Sequence, residues 1–364
     1  MNRLLDWLFA GVLALALALV GRLERLRCSP TGYANPRVAH LVGALGYHVH
    51  SYRVALPAIR RWLRHGGELF PGVVQVQTIN RCNAACAMCP YPYTVHLEPR
   101  ELMDDALFSK IAAECAAEPE LYDFVPMAQN EPLLDPKLEA RIAEFKAAAR
   151  PHQMVELVTN GSALTPARFS RLADAGLDML SVSVNADSAE TYGRVMAGLS
   201  WPRLVGTLEA LAAAKPATVN LYLRFVKQRA NAHEFGRFAR RWRRAGFNLM
   251  VYDMNNRAGS VRSYAALTTA KAALTRRLRR WVGPRLFKAC PYVFGVMTVL
   301  QNGDVPLCGN DWRRLEIVGN ARQATLRAIY NSPRMQEVRA LMRAGRYEEI
   351  APCRECSFRQ EWLA

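Results

Sequence analysis

Between residues 73 and 256 the chain alternates repeatedly between short, β-branched apolar runs and longer amphipathic runs. That alternation predicts strands at Val73–Ile79, Tyr122–Met127, Val155–Thr159, Met179–Val184, Val219–Val226 and Leu249–Met254. It predicts helices at Asp105–Glu118, Pro136–Ala149, Pro166–Ala175, Arg203–Ala214 and Ala232–Ala245. Six such β/α units argue an α/β fold: a parallel sheet with helices outside, open or curled into a partial (β/α)6 TIM-like barrel. After Asn256 the alternation stops. A basic helix at about Ala265–Val282 leads into a cysteine-containing tail, and no solenoid-type repeat interrupts the pattern.

Composition excludes classes without naming a function. The 364 residues are 51% hydrophobic and 22% charged, so neither wholesale disorder nor a collagen-like repeat applies. The formal charge is +17, but it is regional. Residues 22–64 hold eight Arg against Glu24, a net of +7, and residues 224–285 hold sixteen Lys and Arg against Glu234 and Asp253, a net of +14. The remainder therefore carries −4. Localised positive charge suits lipid headgroups, nucleic acid or an acidic substrate, and equally a solvated helix face. No stacking module or reader motif supports nucleic acid as a partner.

The N-terminus carries a fifteen-residue run without a polar side chain, Trp7–Gly21. Extended back through Asp6 and Leu5 to Leu4 the run is eighteen residues, a helix of ~27 Å against a hydrocarbon core of ~30 Å. A cleaved signal peptide and a core helix compete with a membrane anchor. The anchor reading is preferred, because Arg22, Arg25 and Arg27 follow directly and place the rest of the chain on the cytoplasmic side. The expected location is the cytoplasmic face of the inner or plasma membrane, with an anionic membrane surface as partner.

The nine Cys are too few for a small disulfide scaffold, and most cluster at short spacings. Cys82, Cys86 and Cys89 form C-x3-C-x2-C directly after the first predicted strand. Three thiolates can hold three irons of a cubane and leave the fourth open for an exogenous ligand. Structural zinc wants four closed ligands, and no fourth Cys or His occurs in this loop before His96. In the tail, Cys290 and Cys308 flank the turn Asn302-Gly303-Asp304, and Cys353-x2-Cys356 adds a knuckle-like pair. These four can close an iron–sulfur site or a zinc ribbon. Cys115 falls on a predicted helix and is expected simply to pack there.

In this order the motifs resemble the radical S-adenosylmethionine (SAM) superfamily over residues 73–364. That superfamily binds SAM through its amino and carboxylate groups at the open iron, and one-electron reduction yields a 5′-deoxyadenosyl radical. Its second motif, Gly-Gly-Glu-Pro, stands here as Gln129-Asn130-Glu131-Pro132, both glycines replaced. The resemblance implies that Glu131 accepts from the SAM ammonium. It implies cofactor contacts also from Asn160 in Thr159-Asn160-Gly161, from Ser183 and Asn185 on the fourth strand, and from Arg224 on the fifth. The tail resembles the SPASM and Twitch auxiliary-cluster domains, with Gly319-Asn320 and Ile329–Ser332 in their usual places. No cysteine follows Cys356, so one auxiliary [4Fe–4S] cluster in the shorter Twitch-like form is implied.

The expected organisation is an anchoring helix at 1–27, a basic helical linker at 28–72, a radical SAM core at 73–256, a basic connector at 257–289 and an auxiliary-cluster domain at 290–364. Asp253, Asn255 and Arg257, closing the sixth strand, are expected at the barrel mouth as substrate-binding residues. The implied partners are an electron donor such as flavodoxin or ferredoxin and a small or lipid-linked polar substrate, oxidised or epimerised at carbon. The alternatives are a maturase of a ribosomally made peptide and, in another class, a non-catalytic zinc-binding membrane scaffold.

Overall fold

Every apolar run expected as a strand becomes part of one parallel sheet in the computed structural model, which describes residues 58–59, 61–64, 66–214, 218–269 and 289–363. The strands are β1 (Val73–Val76), β2 (Asp123–Val125), β3 (Met154–Thr159), β4 (Met179–Ser183), β5 (Asn220–Lys227), β6 (Asn248–Asp253) and β7 (Val296–Val299). Their order is β6-β5-β4-β3-β2-β1-β7, with every neighbouring pair parallel. The seventh strand is a departure from the expected six. β7 comes from the tail and lies beside β1, with Val73 opposite Val296 and Val76 opposite Val299. It covers an edge of the apolar strand Val73–Val76 that would otherwise expose unpaired backbone groups.

The helices α1 (Asp105–Ala117), α2 (Leu138–Ala148), α3 (Pro166–Asp174), α4 (Ala189–Val195), α5 (Trp201–Ala214) and α6 (Phe235–Arg244) alternate with the strands. Local caps fix several starts. Asp104 accepts from the Leu107 N–H, Thr165 from Arg168 and Ser188 from Thr191. Period-two alternation divides the sheet into two faces. Val74, Phe124, Val155, Leu157, Val182 and Leu223 are buried in the main core, where Phe124 stacks on Phe145 of α2 at 4.1 Å. The opposite face presents Gln75, Asp123, Glu156, Ser183 and Arg224 to a cavity.

The tail folds against this core. β8 (Asp304–Pro306) pairs antiparallel with β9 (Ile317–Asn320), and helices α7 (Leu326–Tyr330), α8 (Pro333–Arg343) and α9 (Ser357–Trp362) follow. Asn331 ties it to the segment before β1: its amide accepts from the Leu69 N–H and donates to the Leu69 carbonyl, both at 2.8 Å. A side chain at Gly319 would bring Cβ within 2.8 Å of the Ile329 side chain, so only glycine lets β9 close on α7.

Helix α6 turns its aromatic residues inward. Phe238 and Trp242 are buried, and Phe235 and Phe238 meet Phe225 of β5. Its arginines include intramolecular partners: Arg237 pairs with Asp187 at 2.5 Å and Arg241 with Glu209 at 3.0 Å. Among the described residues no helix is long and apolar enough to cross a membrane. The expected anchor at 1–27, Cys28, most of the basic linker and most of the basic helix at 265–282 lie outside the described residues.

Candidate active site

The first cysteine group sits in the loop leaving the C-terminal end of β1, the end where α/β barrels carry their sites. The loop is pinned along its length. Ala85–Cys86 forms a short antiparallel ladder with Met196–Ala197. The Tyr91 hydroxyl accepts from the Cys82 N–H at 3.0 Å and donates to the Asn80 carbonyl at 3.2 Å. The Tyr91 N–H donates to Cys89 Sγ at 3.4 Å. His96 is exposed on a short 3-10 turn beyond this loop.

Burial pushes all three thiols upward, Cys82 to about 12, and for Cys82 and Cys86 neighbouring thiols add to the effect. Such a set gathers thiolates only with a compensating cation, which suits an iron–sulfur cluster. Among the described residues no three His, Cys, Asp or Glu side chains converge as the ligands of a single ion. A cubane gives each thiolate its own iron and so needs the sulfurs spread.

Glu131 lies behind this loop, 2% exposed. Oε1 accepts from the Thr159 hydroxyl at 2.5 Å and the Leu133 N–H at 3.1 Å, and Oε2 from the Asn160 N–H at 2.7 Å. Three of its four acceptor positions are filled, leaving one on Oε2. Burial lifts this carboxyl to about 6 despite those bonds. Asn160 also joins the cluster loop, donating from Nδ2 to Asn83 Oδ1 at 2.9 Å. Glu131 and Asn160, both expected to contact the cofactor, thus lie together and are bonded to each other.

Asn185, in the left-handed region at φ +59°, spends its amide on the protein. Oδ1 accepts from the Val226 N–H at 2.7 Å, and Nδ2 lies 3.1 Å from Met196 Sδ. Arg224 pairs with Glu156 and lies over the Tyr252 ring, its charge centre 5.7 Å from the centroid. Of the expected cofactor residues, Ser183 and Arg224 reach the cavity wall.

The four tail cysteines come from three segments. Cys290 precedes a one-turn helix at Pro291–Gly295, Cys308 follows β8, and Cys353 and Cys356 share a turn before α9. Cys308 Sγ accepts from the Asn310 N–H at 3.4 Å. Burial drives all four thiols upward, and the presence of the others raises Cys290 and Cys353 further. This is again a donor set that suits a cluster. Cys115, by contrast, is buried in the main core on α1, as expected.

A cavity of about 560 Å³ borders the loops that carry both groups. Met88 from the first cysteine loop lines one part, and Gly309, Asn310, Trp312, Ser357 and Phe358 from the tail line another. Asp253, Asn255 and Arg257 all lie on its wall. Sequence reasoning missed Asp123 and Glu156 on the same wall, although a carboxylate inside an otherwise apolar strand is the available signal. It also missed Gln129. The Gln129 amide donates to the Gly309 carbonyl at 3.0 Å and accepts from Arg314 at 2.7 Å, joining the Glu131 segment to the Cys308 loop.

This arrangement agrees with the family comparison. Residues 76–240 match the Radical SAM superfamily, and residues 290–357 match SPASM, an iron–sulfur cluster-binding domain. Residues 76–240 thus form a radical SAM domain and residues 290–357 a SPASM domain. The second of these matches is by its description a domain that binds an iron–sulfur cluster.

Among curated relatives it is 33% identical to a GTP 3′,8-cyclase of Synechococcus sp. (strain CC9902) over 167 residues, 43% of this chain and 45% of that protein. It is 28% identical to a PqqA peptide cyclase of Ruegeria pomeroyi over 232 residues, 61% of this chain and 59% of that protein. The chain thus spans about half the length of these two relatives. Among solved structures it is similar to Streptococcus suis SuiB bound to the precursor peptide SuiA, with a TM-score of 0.59 and 14% identity, covering 84% of this chain and 74% of that one. That likeness concerns the fold alone.

Proposed function

We propose that the chain is a radical SAM enzyme, with SAM and two [4Fe–4S] clusters as cofactors, and that it acts as a peptide maturase, joining or oxidising side chains of a peptide substrate in the cavity that borders both cysteine loops. The observation that carries the reading is the placement of that cavity, bordered by Met88 of the first loop and by Asn310 and Ser357 of the tail. At about 560 Å³ it has room for one or two side chains rather than a folded partner. The named relatives support the peptide: one is a PqqA peptide cyclase, and one structure holds a precursor peptide.

In this reading Cys82, Cys86 and Cys89 hold the SAM-binding cluster, and Cys290, Cys308, Cys353 and Cys356 hold the auxiliary one. Bound SAM supplies a 5′-deoxyadenosyl radical, and the auxiliary cluster supplies a one-electron site. Glu131, through the open position on Oε2, would hold the SAM ammonium. Ser183, Arg224, Asp253 and Asn255 line the cavity, where they would orient the substrate.

The test is anaerobic incubation with SAM, a low-potential electron donor such as flavodoxin, and the short peptides encoded beside the gene. A product lighter by two hydrogens supports the reading. Unchanged peptides alongside turnover of a small polar substrate would return the enzyme to small-molecule oxidation. Action at a membrane face is a separate part of the proposal, resting on Trp7–Gly21 and the basic residues 22–64. The full-length chain should then sediment with membranes, and recovery in the soluble fraction without detergent refutes it.

A further inference from the structure

After β6 the chain reverses at Arg257, whose backbone lies in the left-handed region at φ +50°, followed by Ala258 at +51°. A residue with a Cβ holds that conformation only where its surroundings impose it. Here they do. The Arg257 N–H donates to Asn255 Oδ1 at 2.7 Å, and the Arg257 carbonyl accepts from the Ser260 N–H at 3.0 Å. The neighbouring Asn256 donates from its backbone to the Ser357 hydroxyl at 3.0 Å and accepts from the Ser357 N–H at 2.9 Å. The turn is therefore locked to the segment carrying Cys356.

What the lock achieves is the placement of one guanidinium. Arg257 Nη1 donates to Asn310 Oδ1 at 2.9 Å, two residues beyond Cys308. On the cavity wall it shares the space with Met88, Asn310 and Ser357, which neighbour Cys89, Cys308 and Cys356 along the chain. One cation thus stands on a wall shared with residues of both cysteine loops.

We propose that Arg257 is an electrostatic positioning residue shared by the two clusters: held by Asn310 on the wall that borders both loops, its fixed positive charge raises the reduction potential of both. Adding an electron makes a cluster more negative, so a nearby cation favours the reduced form, and the charge around a cluster is one of the determinants of its potential. The proposal rests on the two clusters and not on the identity of the substrate.

The experiment is a potentiometric titration of both clusters by electron paramagnetic resonance, on the reconstituted full-length enzyme without SAM or substrate. Arg257→Gln should retain its iron and lower both midpoint potentials. The expected size is about a tenfold loss of reduced cluster at a fixed donor potential, ~59 mV for a one-electron couple. Arg257→Lys, which keeps the charge, should stay closer to the parent enzyme than Arg257→Gln does. Asn310→Ala, which frees the guanidinium, should lower the potentials by a smaller amount. Unchanged potentials in an iron-replete Arg257→Gln enzyme overturn the proposal. So does an Arg257→Lys enzyme shifted as far as Arg257→Gln, which would assign the effect to contacts rather than charge. If Arg257→Gln fails to hold iron, Asn310→Ala decides: lowered potentials support the proposal and unchanged ones overturn it.

Discussion

The two cysteine groups reach similar chemistry by opposite routes. Cys82, Cys86 and Cys89 occupy eight consecutive residues of one loop, so the spacing itself nearly builds the site. Cys290, Cys308, Cys353 and Cys356 come from three segments that meet only when the tail folds onto β1 and the β6 turn. On the proposed reading the first group, with three thiols, would leave an iron for SAM, and the second, with four, would close its cluster. A reactive centre can be encoded locally, whereas an auxiliary centre facing it must be positioned by long-range contacts. Here those contacts are Gln129 to Gly309, Arg257 to Asn310 and Asn256 to Ser357.

Removing one ligand from each group separates their roles most sharply. Cys86→Ala should abolish 5′-deoxyadenosine formation, because a cluster short of a ligand no longer presents SAM. Cys308→Ala should still cleave SAM while losing the modified product. Equal loss of 5′-deoxyadenosine in both variants, measured by chromatography after dithionite reduction, would erase the distinction.

Glu131 gives the next largest effect. Glu131→Gln should weaken SAM binding by ~1.5–3 kcal/mol, the range of a hydrogen bond to a charged group. Because burial raises this carboxyl to about 6, SAM affinity should also fall as pH drops through that value, since the protonated acid no longer attracts an ammonium. The stability linkage has the opposite sense. A native state that holds this proton more tightly than the unfolded chain is favoured below the ordinary carboxyl range. That contribution is lost as pH rises through about 6. A pH-independent SAM affinity between about pH 5 and 8 would contradict the assignment.

The smallest effect tests the long-range assembly. Gly319→Val forces a side chain against Ile329 and should cost ~1–3 kcal/mol of stability, read from denaturant unfolding. Tail spectra should be perturbed more than those of the first cluster. Unaltered stability would mean that the close approach of β9 and α7 is not needed.

This difference between local and long-range construction also decides what the sequence could reveal. β1 through β6 were legible because each is an apolar run bounded by helix signals. β7 was hidden: Val296–Val299 sits between two cysteines and before a hairpin turn, and its partner is β1, far away in the chain. The two cysteine groups could be read from their spacing, and Asp253, Asn255 and Arg257, singled out because they close a strand, line the cavity. The use of the Asn185 amide by Val226 and Met196 was not legible, since strand-end Asn residues look alike until the neighbouring strand is in place. Which way the aromatic residues of α6 face follows from β5, where Phe225 packs against Phe235 and Phe238.

The central claim is that two separate thiol sets hold two cubanes on one cavity. It is tested most directly by counting iron and acid-labile sulfide in the anaerobically reconstituted enzyme and in the variant with Cys82, Cys86 and Cys89 all replaced by Ala. The account predicts about eight of each per chain in the parent and about four of each in the variant. A parent value of about four, or zinc bound by Cys290, Cys308, Cys353 and Cys356, would contradict it.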